Sequence, residues 1–181
     1  MNLPSRVMVE MGGELVEVVA ADGTVERVVT RAEMRGQRLQ HRGVGVVVRR
    51  PGDGAVRAHQ RAAWKDVWPS YWDLAFGGVC GVGETYEASA VRELAEEAGV
   101  EVTEADLRFL AAGLFEDDAV ALVARVYEID HAGPFTFADG EVERSEWVAR
   151  AELDDWAAAR QVVPDTLSIG LERLRIYSSG S

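Results

Sequence analysis

Apolar and polar residues alternate along much of this chain, in short runs that predict β-strands. Two of these runs flank Asp22-Gly23, a pair that favours a tight hairpin turn, and a nearly continuous valine run after Arg42 indicates a buried central strand. The predicted strands cover residues 14–19, 25–29, 43–49, 56–61, 107–114, 120–129 and 147–148. Strands are therefore expected along most of the chain.

Apolar residues also recur at helical spacing between these strands. Thr30 and Glu33 form a capping-box pattern ahead of a short basic helix, which we expect to end near Leu39. Two more helices are predicted towards the C-terminus, over residues 151–160 and 164–177, and Pro164 occupies a first-turn position in the second. The opening hairpin and its helix are thus predicted to form an extension before the central strand.

The clearest helical pattern follows a glycine-rich turn in the middle of the chain. Thr85 suits the N-cap of this helix and Gly99 suits a left-handed C-terminal position, so the helix should span about residues 85–98. At 100° per residue, three acidic residues fall within about 100° of arc, and four apolar residues lie opposite them. The acidic residues are Glu93, Glu96 and Glu97, and the apolar ones are Val91, Leu94, Ala95 and Ala98.

The acidic face of this helix carries an electrostatic cost. Glu93 lies three and four residues before two like charges, and each such pair costs roughly 0.2–0.5 kcal/mol in an isolated helix. Arg92 offsets part of this cost by pairing with Glu96. An acidic cluster alone more often marks a solvated surface, but carboxylate oxygens with spare negative charge also suit Mg2+.

The residues around the acidic face favour the metal-site interpretation. The stretch fits the pattern G-x5-E-x7-R-E-U-x-E-E-x-G-U, where U is a bulky aliphatic residue. With ordinary residue usage, roughly one in ten million chains of this length would match by chance. The matching residues are Gly78, Glu84, Arg92, Glu93, Leu94, Glu96, Glu97, Gly99 and Val100. This arrangement resembles the Nudix box, complete and unbroken.

The resemblance implies an α/β (α+β) Nudix fold, in which a mixed β-sheet is held between helices, here with an N-terminal β-hairpin and helix as an extension. It also implies a divalent-metal-dependent attack of water on a phosphoanhydride. The lead-in before the box and the N-terminal half are similar to a Nudix subgroup related to isopentenyl-diphosphate isomerase.

The resemblance further implies roles for individual residues. The carboxylates of Glu93, Glu96 and Glu97 would bind metal, together with the backbone carbonyl of Gly77. Arg92 would orient Glu93, and Glu84 would tie the preceding loop to the helix. The glycines at 77 and 78 would let the backbone approach an ion and a phosphate.

Several candidate site residues lie outside the box. Arg61 and Lys65 are candidate phosphate contacts, with solvated surface charges as the alternative. Many Nudix hydrolases carry an extra acidic residue, as metal ligand or catalytic base, in the loop before the last strand. Here that loop offers Glu141 or Glu143.

Aromatic residues and one histidine are weaker candidates. Four aromatic residues lie close together before the box. They form either a surface on which a base could stack or, for at least two of them, part of the hydrophobic core. His41 begins the valine strand, where the isomerase relatives have a metal-binding histidine. The alternative interpretation is that His41 is a surface or hydrogen-bonded strand residue with no metal. The aromatic group consists of Trp64, Trp68, Tyr71 and Trp72.

Bulk properties restrict the class of protein. The 181 residues suit one domain with an extension, and we expect the extension over residues 1–38 and the Nudix domain over residues 39–181. A formal net charge of −12 opposes binding to a nucleic-acid backbone. The single cysteine, Cys80, excludes an internal disulfide, and the N-terminus lacks an apolar targeting segment. We therefore expect a cytoplasmic protein that binds no membrane; a homodimer is left open.

Three functions are compatible with this sequence. The first is a Mg2+-dependent pyrophosphohydrolase, in which Mn2+ is expected to replace Mg2+, acting on a nucleoside diphosphate linked to another moiety or on a nucleoside di- or triphosphate. The second is an isomerase of isopentenyl-diphosphate type, but its cysteine position is occupied by Gly77 and its histidine position by Val79. The third is a non-catalytic ligand-binding module, although such modules typically lose box carboxylates that this chain retains.

Overall fold

The order of helices and strands is defined in a computed structural model that describes residues 13–176. Residues 1–12, on which the targeting argument rests, and the predicted helix end at Tyr177 lie outside this range. The strands are β1 (Leu15–Val19), β2 (Val25–Thr30), β3 (His41–Arg49), β4 (Val56–Arg61), β5 (Trp72–Asp73), β6 (Phe76–Val79), β7 (Arg108–Glu116), β8 (Ala121–Asp130) and β9 (Val142–Val148). The helices are α1 (Arg31–Gly36), α2 (Tyr86–Ala98), α3 (Leu153–Ala158), α4 (Pro164–Ile169) and α5 (Leu171–Ile176).

The valine-rich strand β3 is the centre of one mixed sheet. Along one edge it pairs in parallel with β8 over its whole length, from His41 opposite Leu122 to Arg49 opposite Asp130. Its other edge pairs antiparallel with β6, and its two ends reach β1 and β4. Strand β7 extends the sheet beyond β8, while β5 and β9 pair with β4. The prediction of a buried central strand is confirmed.

Helices cover both faces of this sheet, as the Nudix resemblance implied. On one face, α2 packs Leu94 and Ala98 against Phe76 and Ile129, and all four side chains are buried. On the other face, residues of α3 and α5 pack against the opposite side chains of β3, β4 and β8. The apolar contacts on that second face include Val47, Val56, Ala58, Val126, Leu153, Trp156, Leu171 and Leu174.

The N-terminal hairpin joins the main sheet through β1. Strands β1 and β2 pair antiparallel around the predicted turn, and Thr30 Oγ1 accepts a hydrogen bond from Glu33 N at 3.1 Å to begin α1. This helix ends at Gly36, earlier than predicted. The reason is local, because Arg38 takes a φ of 51°, which a right-handed helix does not accommodate.

Near the C-terminus, the predicted ends of two helices and one strand differ from those in the structure. A 3₁₀ turn at Arg150–Glu152 precedes α3, so the predicted helix at 151–160 is shorter as an α-helix. The last predicted helix is divided at Gly170, a residue with low helix propensity, into α4 and α5. Strand β9 is longer than predicted, because pairing with β4 satisfies the backbone of a segment rich in polar residues.

Helix α2 has the predicted ends. Thr85 Oγ1 accepts from Ala88 N at 3.0 Å, and Gly99 takes a left-handed φ of 65°. Thr136, which lies in the segment between β8 and β9, donates its backbone N–H to Ala98 O at this helix end. The end of α2 is therefore fixed by contact with the segment that leads to β9.

In residues 13–176 no helix is long and apolar enough to cross a membrane.

We expect Gly99→Ala to lower the free energy of unfolding by at least about 1 kcal/mol. A left-handed φ costs an L-residue about 1–2 kcal/mol, and a Cβ at this position would lie 2.9 Å from Thr136 Cβ. The measurement is urea unfolding at pH 7. Gly36→Ala is the control, because a Cβ there meets nothing within 4 Å. Equal stability of the two variants would contradict this account of the helix end.

Candidate active site

The acidic face of α2 lies against two glycines of β6. Gly77 N donates to Glu97 Oε2 at 2.9 Å, and a Cβ on Gly78 would lie 2.7 Å from Glu93 Oε2. Only a strand without side chains at these positions can approach the carboxylates so closely. The side chains of Glu93 and Glu97 are 13% and 6% exposed, whereas that of Glu96 is 59% exposed. The predicted acidic face therefore consists of one buried carboxylate, Glu97, one partly buried carboxylate, Glu93, and an exposed one, Glu96.

Arg92 binds three carboxylates around this face. Its guanidinium lies 2.7 Å from Glu93 Oε1 and 3.2 Å from Glu96 Oε2, and it makes two hydrogen bonds of 3.1 Å to Glu84. Glu84 in turn accepts from Gly81 N at 2.9 Å and from Ser89 Oγ at 2.7 Å. Glu84 thus connects the glycine-rich turn to the helix through Arg92, and Ser89 is a contact that sequence reasoning missed.

Lys65 is the second cation of the site. Its Nζ lies 3.7 Å from Glu97 Oε1 and forms an ion pair with Glu141. Its side chain is 12% exposed. Strand β9 supplies Glu141 through the loop that precedes it, and the loop after β4 supplies Lys65. Tertiary structure therefore brings together an acid and a base that are 76 residues apart in the chain.

Burial controls the protonation of these acids. Burial raises the pKa of Glu93 despite the nearby Arg92, and it raises that of Glu97 well above the ordinary value. Burial also opposes ionisation of Glu141, but its contacts with Lys65 lower the pKa overall. Glu84 is partly buried, yet its hydrogen bonds from Arg92, Ser89 and Gly81 lower its pKa to about 2. Burial thus disfavours the ionised forms of Glu93 and Glu97, whereas contacts with Arg92 and Lys65 favour the ionised forms of Glu84 and Glu141.

The donor set suits a hard divalent cation. Carboxylate oxygens are the ligands that Mg2+ prefers, and the glycines leave room for close approach. Among residues 13–176, no three His, Cys, Asp or Glu side chains are already arranged around a common position. The reason is that Arg92 draws Glu93 and Glu96 to one side, while Lys65 contacts Glu97 and Glu141.

Two other candidates contact the loop after β4. Glu143 Oε1 accepts from Ala63 N at 3.0 Å, so its carboxylate supports the backbone of the loop that carries Lys65. Arg61 donates to Val67 O at 3.1 Å and lines a cavity rather than contacting Glu93 or Glu97. The structure therefore separates Glu141 from Glu143, which the sequence left as equivalent choices.

The histidine and aromatic candidates have different surroundings. His41 is buried, with Nδ1 3.0 Å from Leu39 O, and lies on the cavity rather than beside the box carboxylates. Trp72 is buried edge-on against Trp156, as the packing alternative expected. Trp68 lines the cavity, whereas Trp64 is exposed and lies near Lys65.

A second carboxyl pair, Asp73 and Asp165, lies at the same cavity. Asp73 Oδ1 accepts from Thr166 Oγ1 at 2.8 Å, and Asp165 Oδ1 accepts from Thr166 N at 2.6 Å. Burial, followed by the charge of Asp73, raises the pKa of Asp165 to about 7. Sequence reasoning missed this pair, since no local pattern links residues 73 and 165.

Comparisons with known proteins bear on this geometry. The NUDIX domain family model matches residues 39–166. An uncharacterized Nudix hydrolase of Streptomyces coelicolor is 34% identical over 169 residues, which covers 93% of this chain and 92% of the relative. The chain belongs to the Nudix family. As a Nudix hydrolase it acts on phosphorus-containing acid anhydrides, and Nudix hydrolases generally use divalent metal ions.

Solved Nudix-type structures share the fold. A Deinococcus radiodurans protein superimposes with a TM-score of 0.70 at 23% identity, covering 90% of this chain and 98% of the other. The NUDIX domain of Shewanella oneidensis NrtR, solved in complex with ADP ribose, gives a TM-score of 0.61 at 19% identity. That comparison covers 83% of this Nudix chain and all of the NrtR domain.

The pKa of Asp165 predicts a pH dependence of stability. The folded Nudix chain holds the Asp165 proton up to about pH 7, whereas an ordinary aspartate releases it near pH 3.8. The folded state therefore binds this proton more tightly between these values, so its contribution to stability is lost as pH rises from about 4 to about 7. Asp165→Asn has no such loss and should gain stability relative to wild type across this range.

Urea unfolding of wild type and Asp165→Asn at pH 5, 6, 7 and 8 measures this difference. Asp155→Asn, at an exposed position of α3, is the control and should follow the wild-type curve. A constant difference between Asp165→Asn and wild type at all four pH values would contradict the raised pKa.

Proposed function

We propose that this chain is a Mg2+-dependent pyrophosphohydrolase that cleaves a phosphoanhydride bond of a nucleoside diphosphate linked to another moiety, or of a nucleoside di- or triphosphate. The observation that carries the proposal is the group of four carboxylates, Glu93, Glu96, Glu97 and Glu141, gathered with two cations beside Gly77 and Gly78. Such a group can hold a divalent ion and an anionic substrate together.

Glu93, Glu96, Glu97 and the backbone carbonyl of Gly77 are the proposed metal ligands. A bound divalent ion would neutralise charge on the diphosphate and lower the pKa of an attacking water. Mn2+ is expected to replace Mg2+, since it also accepts carboxylate ligands. Arg92 and Glu84 are proposed positioning residues. Arg92 orients the carboxylate of Glu93, and Glu84 holds the glycine-rich turn against α2 by accepting hydrogen bonds from Gly81 N and Arg92.

Lys65 and Glu141 are proposed to act on the substrate side of the site. Lys65 lies between two carboxylates, and its ammonium group is placed to contact a phosphate oxygen near Glu97. Glu141 is the proposed general base or extra ligand, because its carboxylate lies beside Lys65 at the acidic site and its lowered pKa keeps it in the ionised form that can bind an ion or accept a proton. Arg61 is retained as a more distant phosphate contact.

The isomerase alternative conflicts with the space at Gly77. A Cβ there would lie 2.0 Å from Val44 O, so the position has no room for the cysteine that the isomerase requires. Cys80 is buried, and burial raises its pKa to about 11, which disfavours the reactive thiolate. A non-catalytic module is also disfavoured, since every box carboxylate is present and each contacts Arg92 or Lys65.

The identity of the substrate is supported only as a class. The NrtR domain solved with ADP ribose shares the fold, and ADP ribose is a nucleoside diphosphate linked to a second moiety. We propose a small-molecule diphosphate of this kind as the partner of the chain.

The family model begins at residue 39, which supports assigning residues 1–38 to an extension.

Glu93→Gln and Glu97→Gln should each lower kcat by at least about 100-fold, or roughly 2.7 kcal/mol of transition-state stabilisation. Chromatography of the products formed from a panel of nucleoside diphosphate derivatives with Mg2+ provides the assay, and circular dichroism checks folding. Glu101→Gln, at an exposed position after α2, is the matched control and should keep wild-type turnover. Folded Glu93→Gln and Glu97→Gln proteins with wild-type kcat would remove the assignment.

Glu141→Gln should lower kcat much more than Glu143→Gln. Glutamine at 143 still offers an oxygen to Ala63 N, whereas glutamine at 141 loses both its charge and its ion pair with Lys65. We expect at least about a 100-fold loss for Glu141→Gln, as is typical for removal of a general base, and less than a few-fold loss for Glu143→Gln. The reverse order would assign the acidic role to Glu143.

Saturating Mg2+ or Mn2+ should raise the Tm of wild type by about 5–10 °C. An ion that binds only the folded state adds about 2.7 kcal/mol at one hundred times its Kd, and each kcal/mol moves Tm by about 2–4 °C in a domain of this size. Glu97→Gln should lose most of this shift. Without metal it should be as stable as wild type or slightly more so, because the substitution removes one member of the like-charge pair that Glu97 forms with Glu93.

Thermal melts of both proteins, with chelator and with metal, make this comparison. The idea is falsified if wild type and Glu97→Gln gain equally from metal, since the ion would then bind elsewhere.

A further inference from the structure

Strand β1 carries a buried acid between valines. Glu17 lies between Val16 and Val18 and is 8% exposed. Successive side chains of a strand point to opposite faces, so Glu17 lies on the other face from its two neighbours. Those neighbours pack in an apolar cluster with Val29, Met34 and Val79. A buried carboxylate is costly unless it has partners, so the contacts of Glu17 indicate its role.

The partners of Glu17 lie outside the hairpin, on β3 and in the glycine-rich turn of residues 80–84. Gly83 N donates to Glu17 Oε1 at 3.0 Å, and Arg42 Nη2 donates to Glu17 Oε2 at 2.6 Å. The side chains of Glu17 and Arg42 are 10% and 12% exposed. Arg42 also reaches the turn, because its Nη2 donates to Gly81 O at 3.4 Å. Glu17 and Arg42 together therefore hold the turn at Gly81 and Gly83.

The backbone of β1 also contacts this turn. Val16 forms an isolated antiparallel bridge with Gly81, and its side chain packs with Val79, the last residue of β6. Gly81 has no room for a side chain of its own, because a Cβ there would lie 2.9 Å from Glu84 Cδ. The family model begins at residue 39, so these contacts come from a part of the chain that the model does not cover.

The turn connects Glu17 to the acidic face of α2. Gly81 N donates to Glu84 Oε2 at 2.9 Å, and Arg92 Nε donates to Glu84 Oε1 at 3.1 Å. Arg92 Nη1 in turn donates to Glu93 Oε1 at 2.7 Å. A series of hydrogen bonds, joined by short backbone steps, therefore runs from the N-terminal hairpin to a proposed metal ligand.

We propose that Glu17 is a positioning residue of the active site, which holds the glycine-rich turn so that Glu84 keeps Arg92 beside Glu93. The proposal rests on the proposed metal-dependent hydrolysis and gives the N-terminal extension a part in it. Glu17 acts through the turn rather than by contact with the metal ligands. Replacing residues that orient metal ligands typically changes metal affinity or activity by about 10–100-fold, so the effect is measurable.

Hydrogen exchange measures the link from Glu17 to Arg92 without metal or substrate. Gly81 N–H and Arg92 Nε–H both donate to Glu84, and NMR detects each of them in protein kept in chelator. Glu17→Ala should raise both exchange rates at least about 10-fold, because a turn without this anchor opens more often. Wild-type exchange rates at both sites in Glu17→Ala would overturn the proposal.

Val29→Ala is the matched control for stability. Val29 is 8% exposed and packs in the apolar cluster of the hairpin, on the face away from Glu17. Its truncation should lower the stability of the hairpin but keep the wild-type exchange rates at Gly81 and Arg92. Equal acceleration in Val29→Ala and Glu17→Ala would show a general loss of stability and would overturn the proposal.

Two conservative variants separate the hydrogen bond from the charge. Glu17→Gln keeps an oxygen that accepts from Gly83 N, so its exchange rates should stay within about 3-fold of wild type. Glu17→Asp keeps the charge beside Arg42 but is one methylene shorter, so it should accelerate exchange even if Glu17→Ala does not fold. Faster exchange in Glu17→Gln than in Glu17→Asp would overturn the assignment of Gly83 N as the contact that holds the turn.

The affinity for Mn2+ tests whether the turn serves the metal ligands. Isothermal calorimetry should give a Kd about 10-fold higher for Glu17→Ala than for wild type, and an unchanged Kd for Val29→Ala. Because Glu17 acts through Glu84, adding Glu17→Ala to Glu84→Gln should weaken binding no further. Additive losses in the double variant, or wild-type affinity in Glu17→Ala, would overturn the positioning role.

Failure of this proposal is distinguishable from failure of the proposed function. Faster exchange in Glu17→Ala with unchanged Mn2+ affinity would overturn the role of Glu17 in the active site and leave the proposed hydrolysis intact. A wild-type protein that binds no Mn2+ and hydrolyses none of the nucleoside diphosphate derivatives would overturn the proposed function. The exchange rates would then still support or overturn the link from Glu17 to Arg92.

Discussion

The structure depends on the close approach of Glu93 and Glu97 to the two glycines of β6. Glu97 accepts a hydrogen bond from Gly77 N, and Glu93 Oε2 lies only 2.7 Å from the position that a Cβ of Gly78 would take. Removing these carboxylates from water is costly unless cations and donors compensate them. Arg92 and Lys65 supply the cations, and each belongs to a different part of the fold: the helix itself and the loop after β4.

Because these two cations also contact other residues, the acidic face depends on parts of the chain outside α2. Glu84 shares Arg92 with Glu93, so the glycine-rich turn is connected to α2. Glu143 holds the backbone of the loop that carries Lys65, and Glu141 contacts its ammonium group. The cost of burying the acids is therefore distributed over β6, α2, β9 and one loop, and a bound cation would relieve part of it.

Glycines serve both faces of the central sheet. On the side of α2 they admit carboxylates to the backbone, and on the other side Gly43 and Gly45 leave the floor of a cavity open. The backbone of β3 lies so close to Gly77, with Val44 O 2.0 Å from the position of a Cβ, that this position has no room for the cysteine of an isomerase.

The sequence by itself determined the central strand, the ends of α2, the acidic face and the family, because each is encoded by residues close together in the chain. Thr85, Gly99 and the spacing of Glu93, Glu96 and Glu97 act within a few turns of one helix. Element ends such as Gly36 and Gly170 were misplaced, since a single φ angle or a weak helix former decides them. Only tertiary structure brought Lys65 to Glu97, distinguished Glu141 from Glu143, and joined Asp73 to Asp165 through Thr166. These contacts join residues far apart in sequence, and burial, which sets their protonation, exists only once the sheet and its helices have packed.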